Sequence, residues 1–92
     1  MVRTLGILVI GRRLAIGYAR SCGGWEVVET EDGGGEIGFL PEARARLYLS
    51  PGMACQSGTF LHLTPGSAGW MAKIETHDGY HVVVNPYRLQ PR

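Results

Sequence analysis

Short runs of strand-forming residues recur along this chain between turn signals, and in several of them, such as 44–49 and 70–76, apolar and polar residues alternate with a period of two. The signals are Gly11-Arg12, Cys22-Gly23-Gly24, Asp32-Gly33-Gly34, Ser50-Pro51-Gly52, Gln56-Ser57-Gly58, Thr64-Pro65-Gly66-Ser67 and Asp78-Gly79. Between them lie segments rich in strand formers, at residues 4–10, 13–19, 25–30, 36–40, 44–49, 59–63, 70–76 and 80–85. Short strands punctuated this regularly predict an all-β sandwich or small barrel of about 6–8 short strands. One segment has two readings. Pro41 could head a short helix, but Ala45, Leu47 and Leu49 alternate with Arg44, Arg46 and Tyr48, which favours a strand.

The segment WMAKIETHDGYHVVVNP, residues 70–86, specifies its own pairing. A two-residue loop at Asp78-Gly79 would split the apolar residues between two faces. A three-residue loop, His77-Asp78-Gly79, pairs Thr76 with Tyr80, Ile74 with Val82 and Ala72 with Val84. Trp70, Ala72, Ile74, Tyr80, Val82 and Val84 then share one face, while Met71, Lys73, Glu75, His81 and Val83 share the other. A slip of one residue moves every side chain across the sheet, so burial selects the three-residue loop. Such a loop is a type I turn followed by a left-handed Gly79 in a G1 bulge. His77 then sits in the loop and His81 lies opposite Glu75, so the histidines do not converge. No metal site is expected, since one needs three or four converging ligands.

Moved back by the offset that carries Trp70 onto Trp25, this hairpin lies without a gap on WEVVETEDGGGEIGFLP, residues 25–41. Gly69, Gly79 and Pro86 fall on Gly24, Gly34 and Pro41, and the loop His77-Asp78-Gly79 falls on Asp32-Gly33-Gly34. Ile74 falls on Glu29, a mismatch. A second echo joins Leu47-Tyr48-Leu49-Ser50-Pro51-Gly52 to Leu61-His62-Leu63-Thr64-Pro65-Gly66. An internal pseudo-repeat of two Trp-anchored hairpins and two independent hairpins under the same constraints both account for this pattern.

Ninety-two residues with 45% apolar and 18% charged side chains describe one small globular domain, residues 1–92, with no linker or low-complexity segment. A net charge of +1 removes the strong electrostatic argument for nucleic acid. The apolar run at residues 5–10 is too short for a signal h-region or a membrane span. That reading implies a cytoplasmic protein that avoids membranes, with Cys22 and Cys55 as free thiols. Gly33-Gly34-Gly35 follows two acids and opens a strand, so it lacks the helix N-terminus of a phosphate loop. Cys55 and His62 could pair as nucleophile and base, but a buried structural cysteine is the simpler reading. Nothing here indicates a catalytic residue or a cofactor, and the expectation leans away from an enzyme.

Glu26, Glu29, Glu31, Asp32, Glu36 and Glu42 form an acidic half, whereas Arg44, Arg46 and Lys73 are the charges between residues 43 and 74. On a strand, Arg44, Arg46 and Tyr48 would form a basic and aromatic row of the kind that binds single-stranded nucleic acid in small barrels. The alternative is that these arginines pair with the acidic half.

The run Leu63-Thr64-Pro65, with Ala72, His77, Gly79, Val82, Pro86 and Leu89, resembles the last strands of the SH3-like barrel in type II (plasmid-borne) dihydrofolate reductases. The resemblance implies an SH3-like strand pattern. That family builds one active site in a homotetramer pore from a V-Q-I-Y stretch. The matching place here is Val82-Val83-Val84-Asn85, without the glutamine and tyrosine, and no catalytic residue carries over.

The expectation is therefore a small SH3-like or related barrel acting as a non-enzymatic binding module. Its partner would be another protein, including a second copy of itself. A single-stranded nucleic-acid-binding barrel using Arg44, Arg46 and Tyr48 is the alternative, and a small enzyme the third reading. Residues 4–10 are apolar on both faces, with Leu5, Ile7 and Val9 on one and Leu8 and Ile10 on the other. An apolar open edge needs a cover. This predicts a two-fold homodimer burying the strand at residues 4–10, through Leu8 and Ile10, together with Met71 and Val83 on the outer face of the C-terminal hairpin. The rival is that this strand is central and buried on both sides within one chain.

Overall fold

The computed structural model describes residues 3–92. Met1 and Val2, which head the stretch read as lacking a leader, lie outside the described residues. The chain is all-β. Five strands, β1 (Leu5–Ile10), β2 (Arg13–Ala19), β3 (Trp25–Thr30), β4 (Gly38–Leu40) and β5 (Arg46–Leu49), form one antiparallel sheet in the order β4-β3-β2-β1-β5. Four more, β6 (Ala54–Cys55), β7 (Gly58–Gly66), β8 (Gly69–Thr76) and β9 (His81–Val84), form a second in the order β6-β7-β8-β9. The count is nine, above the expected six to eight, and among the described residues neither sheet closes into a barrel. Among the described residues no helix is long and apolar enough to cross a membrane.

Both sheets follow one itinerary. Each begins with a two-residue hairpin, Ile10 pairing Arg13 in the first and Cys55 pairing Gly58 in the second. Each continues as a four-strand meander into a 3-10 turn, Glu42–Arg44 or Pro86–Arg88. The chain then returns beside its own first strand. In the first half β5 pairs with β1, and in the second Pro91 bridges Cys55. The pseudo-repeat read at two hairpins thus extends, as topology, over both halves.

The first sheet is forced to curl. Its edge strands β4 and β5 are joined by residues 41–45, three of them in the 3-10 turn, a reach of roughly 16 Å. The edges of a flat five-stranded sheet lie four spacings of ~4.8 Å apart, roughly 19 Å. Coiling brings Leu40 and Ala45 over Leu8, Ile10, Ala15 and Val27 to make one core cluster, with Trp25 packed against it. The Trp25 indole N–H donates to the Ala45 carbonyl at 3.2 Å and holds the connection down. The opposite face of the same sheet supplies Ile7, Ile16 and Leu49 to a second cluster, with Cys55, Phe60, Leu63, Ala72, Ile74 and Leu89.

The C-terminal hairpin has the register that burial selected. Ala72 pairs Val84, Ile74 pairs Val82 and Glu75 pairs His81. Gly79 has φ +87° and its N–H donates to the Thr76 carbonyl at 2.9 Å, the left-handed position of the three-residue loop. The equivalent loop in the first half differs. The left-handed residue is Gly33, φ +72°, whose N–H bonds Thr30, so the turn sits one residue earlier than Asp32-Gly33-Gly34 predicts. Strand β4 is correspondingly short. The cause is where each half takes its β-bulge. In the first it falls at Val28 of β3, between the pairs Ile16–Glu29 and Gly17–Val27. In the second it falls at Leu61 of β7, between Phe60–Ile74 and His62–Lys73. Putting the extra residue on opposite strands displaces the two hairpins relative to each other. Buried Thr30 then ties the wider loop, its hydroxyl donating to Asp32 at 3.0 Å and accepting from the Gly35 N–H at 3.0 Å.

Residues 41–49 combine both readings. Pro41 precedes a single 3-10 turn, and the strand begins at Arg46, not Arg44.

Candidate functional site

The predicted self-association residues separate into two groups. Leu8 and Ile10 are buried inside the chain, in the cluster on the coiled face of the first sheet. Strand β1 lies between β2 and β5, and Ile7 and Leu8 face different clusters. The expectation of an open apolar edge at residues 4–10 is therefore corrected: the near-continuous apolar run is that of a strand covered on both faces. A second chain cannot reach Leu8 or Ile10 while this one stays folded. Met71 is half-buried, and Val83 is 55% exposed.

Arg44, Arg46 and Tyr48 do not form one row. Arg44 ends the 3-10 turn and makes an ion pair with Glu36. Arg46 is exposed on β5. Tyr48 sits in a bulge between the pairs Ile7–Leu49 and Leu8–Leu47, is half-buried against the inter-sheet core, and donates its hydroxyl to the Leu89 carbonyl at 3.0 Å. Other arginines meet the acidic half within the chain, Arg13 with Asp32 at 3.2 Å and Arg20 with Glu26 at 3.5 Å.

The histidines are dispersed. His81 meets Glu75 at 3.0 Å on the outer face of the second sheet, and His77 reaches the Gln56 carbonyl at 3.3 Å from its loop. His77 thus has a partner, which its place in the turn did not suggest. Cys55 is fully buried and Cys22 exposed, both as free thiols, while His62 lies exposed on β7. Among the described residues no three His, Cys, Asp or Glu side chains gather where a metal could be held.

Two places remain. A cleft of about 400 Å³ lies where the halves meet, lined by Glu29 and Glu31 of the first and by Trp70, Met71, Asn85 and Tyr87 of the second. Its central group is already engaged. The Glu29 carboxylate accepts the Trp70 N–H at 3.2 Å and a short hydrogen bond from the Tyr87 hydroxyl. Burial, this hydrogen bond, and the negative charges of Glu29 and Glu31 hold the Tyr87 phenol well above its ordinary value of 10.0. Glu29 is a latch between the halves, and the mismatch of Glu29 with Ile74 in the repeat was its sequence signal.

The other place is the edge strand β9. Antiparallel pairing alternates, so with Thr76 donating to the Tyr80 carbonyl, Val82 and Val84 face β8 with their backbone groups. The N–H and C=O of His81 and Val83 point to the free edge. Exposed apolar side chains flank them: Tyr80 at 70%, Val82 at 38% and Val83 at 55%. Tyr80 has the predicted inner-face parity, but at the hairpin tip it overhangs the core. No lysine, arginine, carboxylate or proline interrupts His81–Val84 at this edge.

No protein-family model, no curated protein and no solved structure matches this chain.

Proposed function

We propose that this chain is a non-enzymatic binding module of SH3-like strand pattern, taking a protein partner along the open edge of β9 in the reducing cytoplasm. The single observation that carries the reading is the uninterrupted backbone edge at His81 and Val83, flanked by exposed Tyr80, Val82 and Val83. An edge left unprotected in this way is a template for strand addition, in which main-chain hydrogen bonds supply affinity and alternate side chains supply selectivity. The first sheet's edge β4 is blunted instead. It has three residues, Gly38 lies at φ +101°, and the Arg20 guanidinium sits 5.0 Å from the Phe39 ring centroid. The SH3-like pattern is supported by the meander, 3-10 turn and return to the first strand in each half. Val82-Val83-Val84-Asn85, at the place of the reductase V-Q-I-Y stretch, is read here as a binding edge and not as a catalytic pore.

The test is a fluorescein-labelled peptide of alternating threonine and valine, titrated by anisotropy at protein concentrations low enough to limit self-association. Saturable binding by the wild type, lost in Val83→Pro and little changed by salt, is expected. Equal binding by both proteins overturns the reading. A steep fall with salt on a single-stranded oligonucleotide, about one power of concentration per phosphate contact, would favour the nucleic-acid reading instead.

A further inference from the structure

We infer that the occupant of the β9 edge is the β9 edge of a second copy, paired antiparallel about a two-fold axis at Val82. The inference rests on the strand-addition reading above and names the partner.

Both ends of the free edge fix this register. Toward the turn, Gly79 is left-handed at φ +87° and cannot continue a ladder. Toward the C-terminus, the Asn85 carbonyl already accepts the Arg88 N–H at 3.1 Å. His81 and Val83 are left as the pair of β9 residues facing outward with N–H and C=O uncommitted in the ladder. A two-fold axis at Val82 sets His81 of one copy against Val83 of the other, and Val83 against His81. Each pair exchanges two hydrogen bonds, as adjacent antiparallel strands do. Shifting the axis to His81 requires Gly79 in the ladder, and shifting it to Val83 requires the engaged carbonyl of Asn85.

The side chains agree with the same axis. On the inner face Val82 meets Val82, and Tyr80 lies across from Val84 of the second copy. The most exposed large apolar residue among those described thereby gains an apolar neighbour. On the outer face one row runs Lys73, Val83, then His81 and Glu75 of the second copy, and its mate runs in reverse. No like charges stand opposite each other, and each His81 keeps its own Glu75. The contact is isologous and closes at two copies, joining two four-stranded sheets into one of eight.

Light scattering with size exclusion, together with cysteine placement in a Cys22→Ser background, tests this. The wild type should run at dimer mass, and Val83→Pro, which removes an N–H that β8 does not use, should run as a folded monomer. Val82→Cys should form an intermolecular disulfide under copper-phenanthroline, because facing residues of a non-hydrogen-bonded pair lie within disulfide reach. His81→Cys should not, since its counterpart sits diagonally beyond that reach. Wild type that stays monomeric up to millimolar concentration overturns the dimer, as does a failure of Val82→Cys to cross-link or faster cross-linking of His81→Cys. A monomer that still binds the threonine–valine peptide through Val83 defeats this inference alone. A dimer that persists in a folded Val83→Pro variant defeats the edge reading as well.

Discussion

The two halves of this chain share one strand itinerary and close their cores by opposite means. The offset that superposes Trp25 on Trp70 sets Ile10 on Cys55, Ala15 on Phe60 and Val27 on Ala72, and all six are buried. The first cluster is made wholly of first-half residues, because the short connection at residues 41–45 coils the sheet and the Trp25 hydrogen bond holds it. The second is not self-sufficient. It places Phe60 where the first half has alanine and borrows Ile7, Ile16 and Leu49 from the outer face of the first sheet. β1 is thus the hinge of the fold, feeding one core with Ile7 and the other with Leu8 and Ile10. The same topology is stable in two contexts because burial needs a cover, not a particular one.

The hardest way to break this arrangement is to charge β1. Leu8→Glu and Ile7→Glu each put a carboxylate into a different dry core, a cost of several kcal/mol that is comparable with a small domain's whole stability. Circular dichroism should show both unfolded. A folded, soluble monomer from Leu8→Glu would restore the discarded interface reading.

Exchanging residues between equivalent positions sharpens the comparison. Phe60→Ala should cost about 3–5 kcal/mol in urea denaturation, through lost burial and the cavity left behind. The reverse exchange, Ala15→Phe, overpacks the smaller core and should cost about 1–3 kcal/mol. If Ala15→Phe is neutral, the first core is looser than the structure shows.

The latch between the halves should matter less. Glu29→Ala strips the Tyr87 hydroxyl and the Trp70 N–H of their acceptor, for a loss of about 1–3 kcal/mol. It also predicts a pH dependence. Tyr87 binds its proton more tightly folded than unfolded, so its contribution is complete below pH 10.0 and is lost as the pH rises beyond that value. Stability of the wild type should therefore fall above pH 10.0 more steeply than that of Tyr87→Phe. Parallel alkaline profiles would mean that the phenol is not held in this way.

Turns give the smallest contrasts. Gly79→Val should cost about 1–2 kcal/mol from backbone strain alone, since a Cβ there meets nothing within 4 Å, and Gly33→Val should cost about the same. An unchanged melting temperature for the Gly79 variant would disprove the hairpin register. His77→Ala removes one exposed hydrogen bond to Gln56 and should cost about 0.5 kcal/mol or less.

Much of this architecture was readable in the chain because it is local. Alternation located the strands, Asp78-Gly79 with the apolar set of residues 70–84 determined the β8–β9 register, and the same signals marked the two Trp-anchored hairpins. Where two elements compete within a few residues, as at 41–49, the pattern averaged a 3-10 turn and a strand into one strand. Bulges were invisible to it. An inserted residue at Val28 changes no composition, yet it accompanies a first-half turn one residue earlier, and a further bulge at Tyr48, with Arg44 held in the 3-10 turn, keeps Arg44, Arg46 and Tyr48 from forming a common row. What lies against each face was likewise outside its reach. The run Leu5 to Ile10 is equally apolar whether a second chain, another sheet or its own curled edge covers it, and only the fold chose the last two. The β9 edge was a three-dimensional fact of the same kind: Val83 was assigned to the outer face from parity, but that no strand follows on its far side depends on the whole sheet. A period of two tells which side chains share a face, because geometry repeats along the strand. It carries no information about the neighbour across the gap, because that neighbour comes from a distant part of the chain.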